Sequence, residues 1–342
     1  MQIDVVPVDP FDASAVAAWW QASADAMRAD MGEHAVPWSL EESRAELQQR
    51  TSTVERRAYL AVTGGEIVGS GSLALPLKDN TRSASLAVSV PFAHRRRGVG
   101  TALLAHIEAA ARGAARSVLH AETRWPAEAP ADGSGQPGRE FARRHGYDVA
   151  LGDLQSTLAL PVDPAHLAAL RAEAESASRG YAIRGWVGPV PDDVVAGWAM
   201  LDSVLETEAP TGDLDIEAST ADVAEVRESE ELIARQGRTS FGAVALDADG
   251  QVVAYSQLVV SGDDGDAYQW GTLVRRQDRG HRLGLRVKTE TLRILQRRSP
   301  ETPRILTFNA EENGPMLAVN RRLGFAATGR LAELQKRVGA PQ

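Results

Sequence analysis

One loop appears twice in this chain, and the repeat dictates the architecture. His94-Arg95-Arg96-Arg97-Gly98-Val99-Gly100-Thr101 is echoed by Asp278-Arg279-Gly280-His281-Arg282-Leu283-Gly284-Leu285. Arg95 and Arg279 lie 184 residues apart (279 − 95), as do Gly100 and Gly284 (284 − 100). Two flanking features keep the same order. The hairpin glycines Gly65 and Gly250 are 185 apart (250 − 65), and the helix-ending glycines Gly146 and Gly324 are 178 apart (324 − 146). An offset held through three features of a 342-residue chain predicts two copies of one domain. The expected domains are 1–160 and 181–342, with residues 161–180 as a Pro-, Ala- and Glu-containing helical linker.

Each loop follows a β-rich run, Leu86-Ala87-Val88-Ser89-Val90 or Trp270-Gly271-Thr272-Leu273-Val274, and opens a helical pattern. Strand, tight loop and helix N-terminus together make an anion site. Glycine lets backbone approach a phosphate closely, the first helical amides lack intrahelical partners, and the helix dipole favours negative charge there. The neighbouring arginines are expected to add counter-charge.

Composition narrows the partners. The net charge of −9 argues against nucleic acid and favours cationic partners. No run reaches the roughly 20 apolar residues of a membrane span, and Met1-Gln2-Ile3-Asp4 does not resemble a secretory signal, so a cytoplasmic protein is expected. The chain has no cysteine, and its seven histidines show no paired ligand spacing, so no metal site is expected.

Along each copy the pattern reads strand, helices, hairpin, strand, Arg/Gly loop, helix, strand, helix ending in Gly-aromatic, strand. This order resembles the GNAT superfamily of acyl-CoA N-acyltransferases, whose signature is Gln/Arg-x-x-Gly-x-Gly/Ala after the fourth strand. Arg95-Arg96-Arg97-Gly98-Val99-Gly100 satisfies it in full. Arg279-Gly280-His281-Arg282-Leu283-Gly284 keeps the outer positions but has Arg282 where the inner glycine belongs. The resemblance covers nearly the whole chain and implies an α/β (α+β) fold of two tandem GNAT domains, each a mixed, mostly antiparallel sheet flanked by helices. It also implies acetyl-CoA as the acyl donor, a small-molecule amine acceptor, and a monomer built as a pseudodimer or else a homodimer. Carried over residue by residue, it assigns pyrophosphate to the residues Arg95 to Thr101 and Arg279 to Gly284. It assigns pantetheine to the strand ends Val88, Ser89, Val90, Leu273 and Val274, and to Asn309 and Asn313.

Amine acylation needs a neutral amine and a proton for the departing thiolate. The family's acid is a tyrosine four residues before the Gly-aromatic turn, but Ala142 and Asn320 stand there. Asn320 can donate a hydrogen bond to a thiolate without supplying a proton. Glu311, Glu312 and the acidic run from Glu206 to Glu217 offer candidate bases, and that run suits capture of a cationic amine. Most of the seven tryptophans are expected in the core, with Trp125 and Trp270 at a pocket. The leading expectation is therefore an N-acetyltransferase acting on a small, cationic primary amine, with Asn320, Glu311 and Glu206 as catalytic candidates. The alternatives are a non-catalytic acyl-CoA-binding or sensory protein and, less well matched, an interaction module.

Overall fold

A computed structural model describes residues 2–263 and 265–339; the ends of the expected domains at residues 1 and 340–342 lie outside the described residues. The first copy runs β1 (Asp4–Pro7), α1 (Ala13–Met31), α2 (Leu40–Gln48), β2 (Val54–Thr63), β3 (Glu66–Pro76), β4 (Ser83–Ser89), α3 (Val99–Gly113), β5 (Val118–Pro126), α4 (Pro137–Arg144) and β6 (Asp148–Ala159). Helix α5 (Pro164–Ala177) follows. The second copy runs β7 (Ala182–Val187), α6 (Val195–Asp202), α7 (Leu205–Glu208), α8 (Val223–Arg235), β8 (Thr239–Leu246), β9 (Val252–Val260), β10 (Ala267–Val274), α9 (Leu283–Arg298), β11 (Arg304–Ala310), α10 (Gly314–Leu323) and β12 (Ala326–Arg337).

Local chemistry sets the boundaries. Asp12 accepts from the amides of Ser14 and Ala15 to start α1, and Ser39 with Glu42 forms a reciprocal capping box on α2. Gly64 and Gly65 are both left-handed, as a two-residue turn between twisted strands requires, and they close the β2–β3 hairpin. Helix α8, which the sequence pattern does not reveal, starts where Asp222 accepts from the amide of Ala224.

The chain forms two compact units, one of Met1–Asp153, Gly212–Glu217 and Thr328–Gln342, the other of Leu154–Thr211 and Ala218–Ala327. Each unit therefore holds a strand segment from the opposite copy. In the first, the strand order is β1-β2-β3-β4-β5-β12, with β12 antiparallel to β5 from Gly329 opposite Pro126 to Arg337 opposite Val118. Its core sets Val99, Leu103, Leu104, Ile107 and Ala111 of α3 on the strands. In the second, the order is β6-β11-β10-β9-β8-β7. Helix α5 is packed into this unit, where Leu167, Leu170 and Ala174 join Leu285, Leu292 and Leu295 of α9 and Phe325. Among the described residues no helix is long and apolar enough to cross a membrane, and no group of His, Asp and Glu is arranged to hold a metal ion.

Candidate active sites

The two loops share one backbone shape with its residues exchanged. In the first unit the left-handed positions are Arg96 (φ +62°) and Gly98 (φ +85°), and Gly98 caps α3. In the second they are Gly280 (φ +90°) and Arg282 (φ +55°), and Arg282 caps α9. The inner glycine of the signature stands, in the second loop, at the other left-handed position. No side chain caps either helix, which leaves the first-turn amides for an anion. A Cβ on Gly98 would meet only Ile3, at 3.9 Å, so the loop face is open to a phosphate. Val99 and Leu283 point into the core, so only their backbone faces the loop. Thr101 Oγ1 lies 3.4 Å from His145 Nε2, and the His281 ring lies 5.5 Å from that of Tyr181.

The arginines correct an expectation. Arg95 does not face outward as counter-charge: its Nε donates to Val90 O, and its guanidinium grips Asp30 at 2.6 and 3.0 Å. Arg279 repeats the arrangement, donating to Val274 O and to Glu208 at 2.8 Å. Both arginines brace their loops, and the Val90 and Val274 carbonyls, expected to be free for pantetheine, accept these bonds. Arg96 and Arg97 remain exposed beside the first loop. Arg282 is paired with Glu173 of α5.

The strands before the loops part from their parallel neighbours. Strand β4 pairs with β5 only from Ser83 to Leu86, opposite Val118 to Ala121, although both continue. Strand β10 pairs with β11 only at Ala267 and Tyr268. Beyond these points the facing edges have no ladder partner among the described residues, while β4 stays paired with β3 as far as Ser89. Such an unpaired edge offers amides and carbonyls to an extended amide-bearing chain.

Here the units diverge. The β3–β4 register is regular over Ser85 to Ser89, whereas β10 shifts register against β9 between Gln269 and Thr272. At this irregularity sits Gly271, and a Cβ there would lie 2.3 Å from the Tyr255 hydroxyl. Tyr255 is fully buried and donates to Asp202 Oδ1 at 2.8 Å. Burial raises the Asp202 pKa against the lowering effect of that bond; burial first, then the Asp202 charge, raises that of Glu206. Both carboxylates are nonetheless exposed to solvent, and neither has a cationic partner among the described residues. Asp202 and Tyr255 are sequence-silent members of this cluster. The available signal was Gly271, since glycine inside a strand marks close approach by another group.

The remaining candidates are dispersed. Asn313 caps α10 through the Met316 amide, and Asn320 Nδ2 donates to Asn309 Oδ1 at 2.7 Å. Asn320 is buried with its Oδ1 unpartnered among the described residues. Glu311 and Glu312 are exposed in the turn before α10. The acidic run is not one cation trap: Glu208 pairs with Arg276 and Arg279, and Asp215 in the first unit pairs with Arg82 and Arg337. Of the expected Trp125 and Trp270, the first is buried over Gly133 and the second is 37% exposed. In the first unit, His120 lies beside the point where β4 and β5 part. Burial lowers its pKa, opposed by Asp215, and its Nε2 has no partner among the described residues.

Residues 19–132 match the family model for the acetyltransferase (GNAT) family. A tandem GNAT protein from the clavulanic acid biosynthesis pathway, solved without acetyl-CoA, is 25% identical with a TM-score of 0.78, and the alignment covers all of both chains. A GCN5-related N-acetyltransferase from Sphaerobacter thermophilus is 18% identical with a TM-score of 0.67, over 99% of this chain and 98% of that one. No curated protein matches the sequence significantly.

Proposed function

Because the chain carries a GNAT acetyltransferase domain at residues 19–132 and folds throughout as a tandem GNAT protein does, we propose that it transfers an acetyl group from acetyl-CoA to the primary amine of a small, cationic molecule. The observation that carries the CoA half is the loop built twice with one backbone shape, each time after a strand that parts from its neighbour. CoA supplies the activated thioester. The amides opening α3 and α9 bind its pyrophosphate, Arg96 and Arg97 add charge at the first loop, and the free edges of β4 and β10 align pantetheine.

The acceptor half rests on the second unit. Glu206 takes a proton from the ammonium or from the attacking nitrogen, and its raised pKa brings it closer to that task than an ordinary surface carboxylate. Asp202, held by Tyr255, keeps negative charge beside Glu206 and favours a cationic acceptor. As nitrogen bonds the acyl carbon, the carbon–sulfur bond breaks and the thiolate leaves to take a proton from water; the Asn320 amide is the candidate hydrogen-bond donor to that sulfur. With no cysteine in the chain, no acyl-cysteine intermediate forms, and direct transfer within a ternary complex is expected.

The absence of cysteine also makes the test clean, because a thiol reagent reads released CoA without protein background. Acetyl-CoA is incubated with a panel of cationic, neutral and anionic amines. Acceptor-dependent CoA release led by the cations supports the reading. Tight acetyl-CoA binding without release from any amine would favour a sensory protein.

A further inference from the structure

Part of the second copy's acidic run, Gly212–Glu217, belongs to the first unit and is tied down there residue by residue. The Asp213 amide donates to Ala150 O at 2.9 Å, the Asp215 amide to Gln335 Oε1 at 2.6 Å, and the Glu217 amide to Asn80 Oδ1 at 2.8 Å. Arg82 at 3.0 Å and Arg337 at 3.2 Å clamp the Asp215 carboxylate. Gln335 stands opposite His120 in the β5–β12 ladder, so the segment fixes a negative charge close to the imidazole.

His120 has the position of a reacting group. Leu119 and Ala121 pack with the core under α3, so His120 between them faces the other side of the sheet, where α1 lies across β4 and β5. It pairs with Ser85, and the free edge of β4 begins two residues further on, at Ala87, about 7 Å along the strand. With pyrophosphate at the loop after β4, pantetheine running back along that edge brings its thioester to the point of parting, beside His120. The imidazole Nε2 is buried without a partner among the described residues. In the second unit Ala267 opposite Ile305 matches Ser83 opposite Val118 (267 − 83 = 184), so Thr307 holds the place of His120 and donates to Asn309 Oδ1 at 3.4 Å. A small side chain with its own hydrogen bond thus fills this place in the same fold.

We propose that the first unit holds a second acceptor site, in which His120 Nε2 accepts the proton of a weakly basic amine and Asp215 supplies the countercharge to the imidazolium. The site rests on the acyl-CoA reading for its donor. As nitrogen bonds the acyl carbon and the carbon–sulfur bond breaks, Nε2 takes the nitrogen's proton and returns it through water to the departing thiolate. Burial holds the imidazole below its ordinary value against the pull of Asp215, so it is neutral and able to accept at pH 7. Such a weak base is poorly matched to an alkylammonium of pKa about 10.4, and suits an aromatic amine or an α-amino group of pKa about 8. The surrounding charges agree. Asp215 is matched by two arginines, Glu217 accepts from the Asn80 amide, and Glu122 pairs with Arg124. On α1, Asp25 pairs with Arg28 and Asp30 with Arg95; Glu333, opposite Glu122, also has a partner. Apart from the exposed Asp213, this face offers no unmatched carboxylate to an ammonium, in contrast to Asp202 and Glu206.

CoA release by the full chain is followed from about pH 5 to pH 9 with p-chloroaniline, glycinamide and putrescine as acceptors. His120→Thr, which copies the second unit, and His120→Gln should each lower kcat for the two weakly basic amines by about 10²-fold or more and for putrescine far less, with acetyl-CoA affinity unchanged. In the parent, the rate with p-chloroaniline, which stays neutral over that range, should rise with pH through a midpoint below the ordinary imidazole value. Asp215→Asn, with its fold checked by melting, should move the midpoint lower still, because the carboxylate favours the charged ring. Release from putrescine alone, rates unchanged in both His120 variants, an equal fall for all three amines, or an unmoved midpoint in Asp215→Asn would overturn the second site and leave the acyl-CoA reading standing. Release from none of the three in the parent would overturn that reading as well.

Discussion

The two units place opposite chemistry at matched points of one fold. In the first, Glu108 of α3 is buried with Lys336 at 2.7 Å and the Tyr147 hydroxyl at 3.0 Å, while Leu104 fills the core a turn earlier. In the second, the counterparts of Glu108 and Tyr147 are Leu292 and Phe325, and the lone charge is Lys288 in place of Leu104. A charge satisfied by partners is compatible with its fold, whereas a buried one without partners costs stability. The strands differ likewise: β4 is regular, whereas β10 is irregular beside Tyr255, Asp202 and Glu206. Duplication kept the backbone and let the polar groups diverge.

The largest expected effect tests whether chemistry belongs to the second unit. Glu206→Gln should lower kcat for the amine by about 10²–10⁴-fold with little change in acetyl-CoA affinity. In the parent the rate should fall on acidification at a higher pH than an ordinary carboxylate would give, because burial and then Asp202 raise the Glu206 pKa. A kcat unaffected by Glu206→Gln would move attention to His120 in the first unit. Next comes Lys288→Leu. The folded pKa of about 7 lies below the ordinary 10.5, so between these values the unfolded chain binds more protons and stability rises with pH. The linkage part of the gain should therefore be on the order of 4–5 kcal/mol at pH 6 and almost nothing near pH 11, read from denaturant midpoints.

The Glu108 cluster gives a smaller effect of opposite sense. Burial raises the Glu108 pKa, but Lys336, Tyr147 and Arg112 outweigh it, and the net shift is downward. A lowered carboxyl pKa contributes stability that is present above the ordinary value and lost as pH falls through the folded one. Glu108→Leu alone should cost about 1–3 kcal/mol at pH 7 by stranding Lys336 and the tyrosine hydroxyl. Adding Lys336→Leu should recover most of that, because the second unit is apolar at the corresponding positions. A double variant as unstable as the single one would mean that the partners do not act as a cluster.

Much of this was legible. The duplicated glycines exposed the two copies, and the apolar runs located most strands, although β6 begins at Asp148, well before the run at Gln155, and β12 was not located. The location of β12 in the first unit was not legible, because strand periodicity says which face is buried and nothing about which edge is joined. Asp202 was silent because a carboxylate ending a short helix looks like any solvated one until Tyr255 folds over it. Arg95 and Arg279 misled for the reverse reason: beside a phosphate-type loop their charge suggested a ligand, but a guanidinium five residues past a strand end can turn back onto that strand's carbonyl. The mismatch of Leu104 with Lys288 was present in the aligned copies, as a polar residue in an apolar register.

The smallest effect asks whether the loops are stereochemically the same. Gly98 at φ +85° has no Cβ to strain, so Gly98→Val should cost about 1–2 kcal/mol and weaken CoA binding at the first loop. Gly280→Val should cost the same, because the second loop makes the same left-handed demand two residues earlier in the pattern. The arginines give the converse. Arg96→Gly should relieve left-handed strain and stabilise by up to about 1 kcal/mol. Arg282→Gly removes equal strain but also the pairing with Glu173, so its gain should be smaller. Melting temperatures of the four variants rank these terms directly. If Arg96→Gly and Arg282→Gly gained equally, the Glu173 pairing would contribute nothing to stability; if Gly280→Val were harmless while Gly98→Val was not, the second loop would relax to another shape in solution.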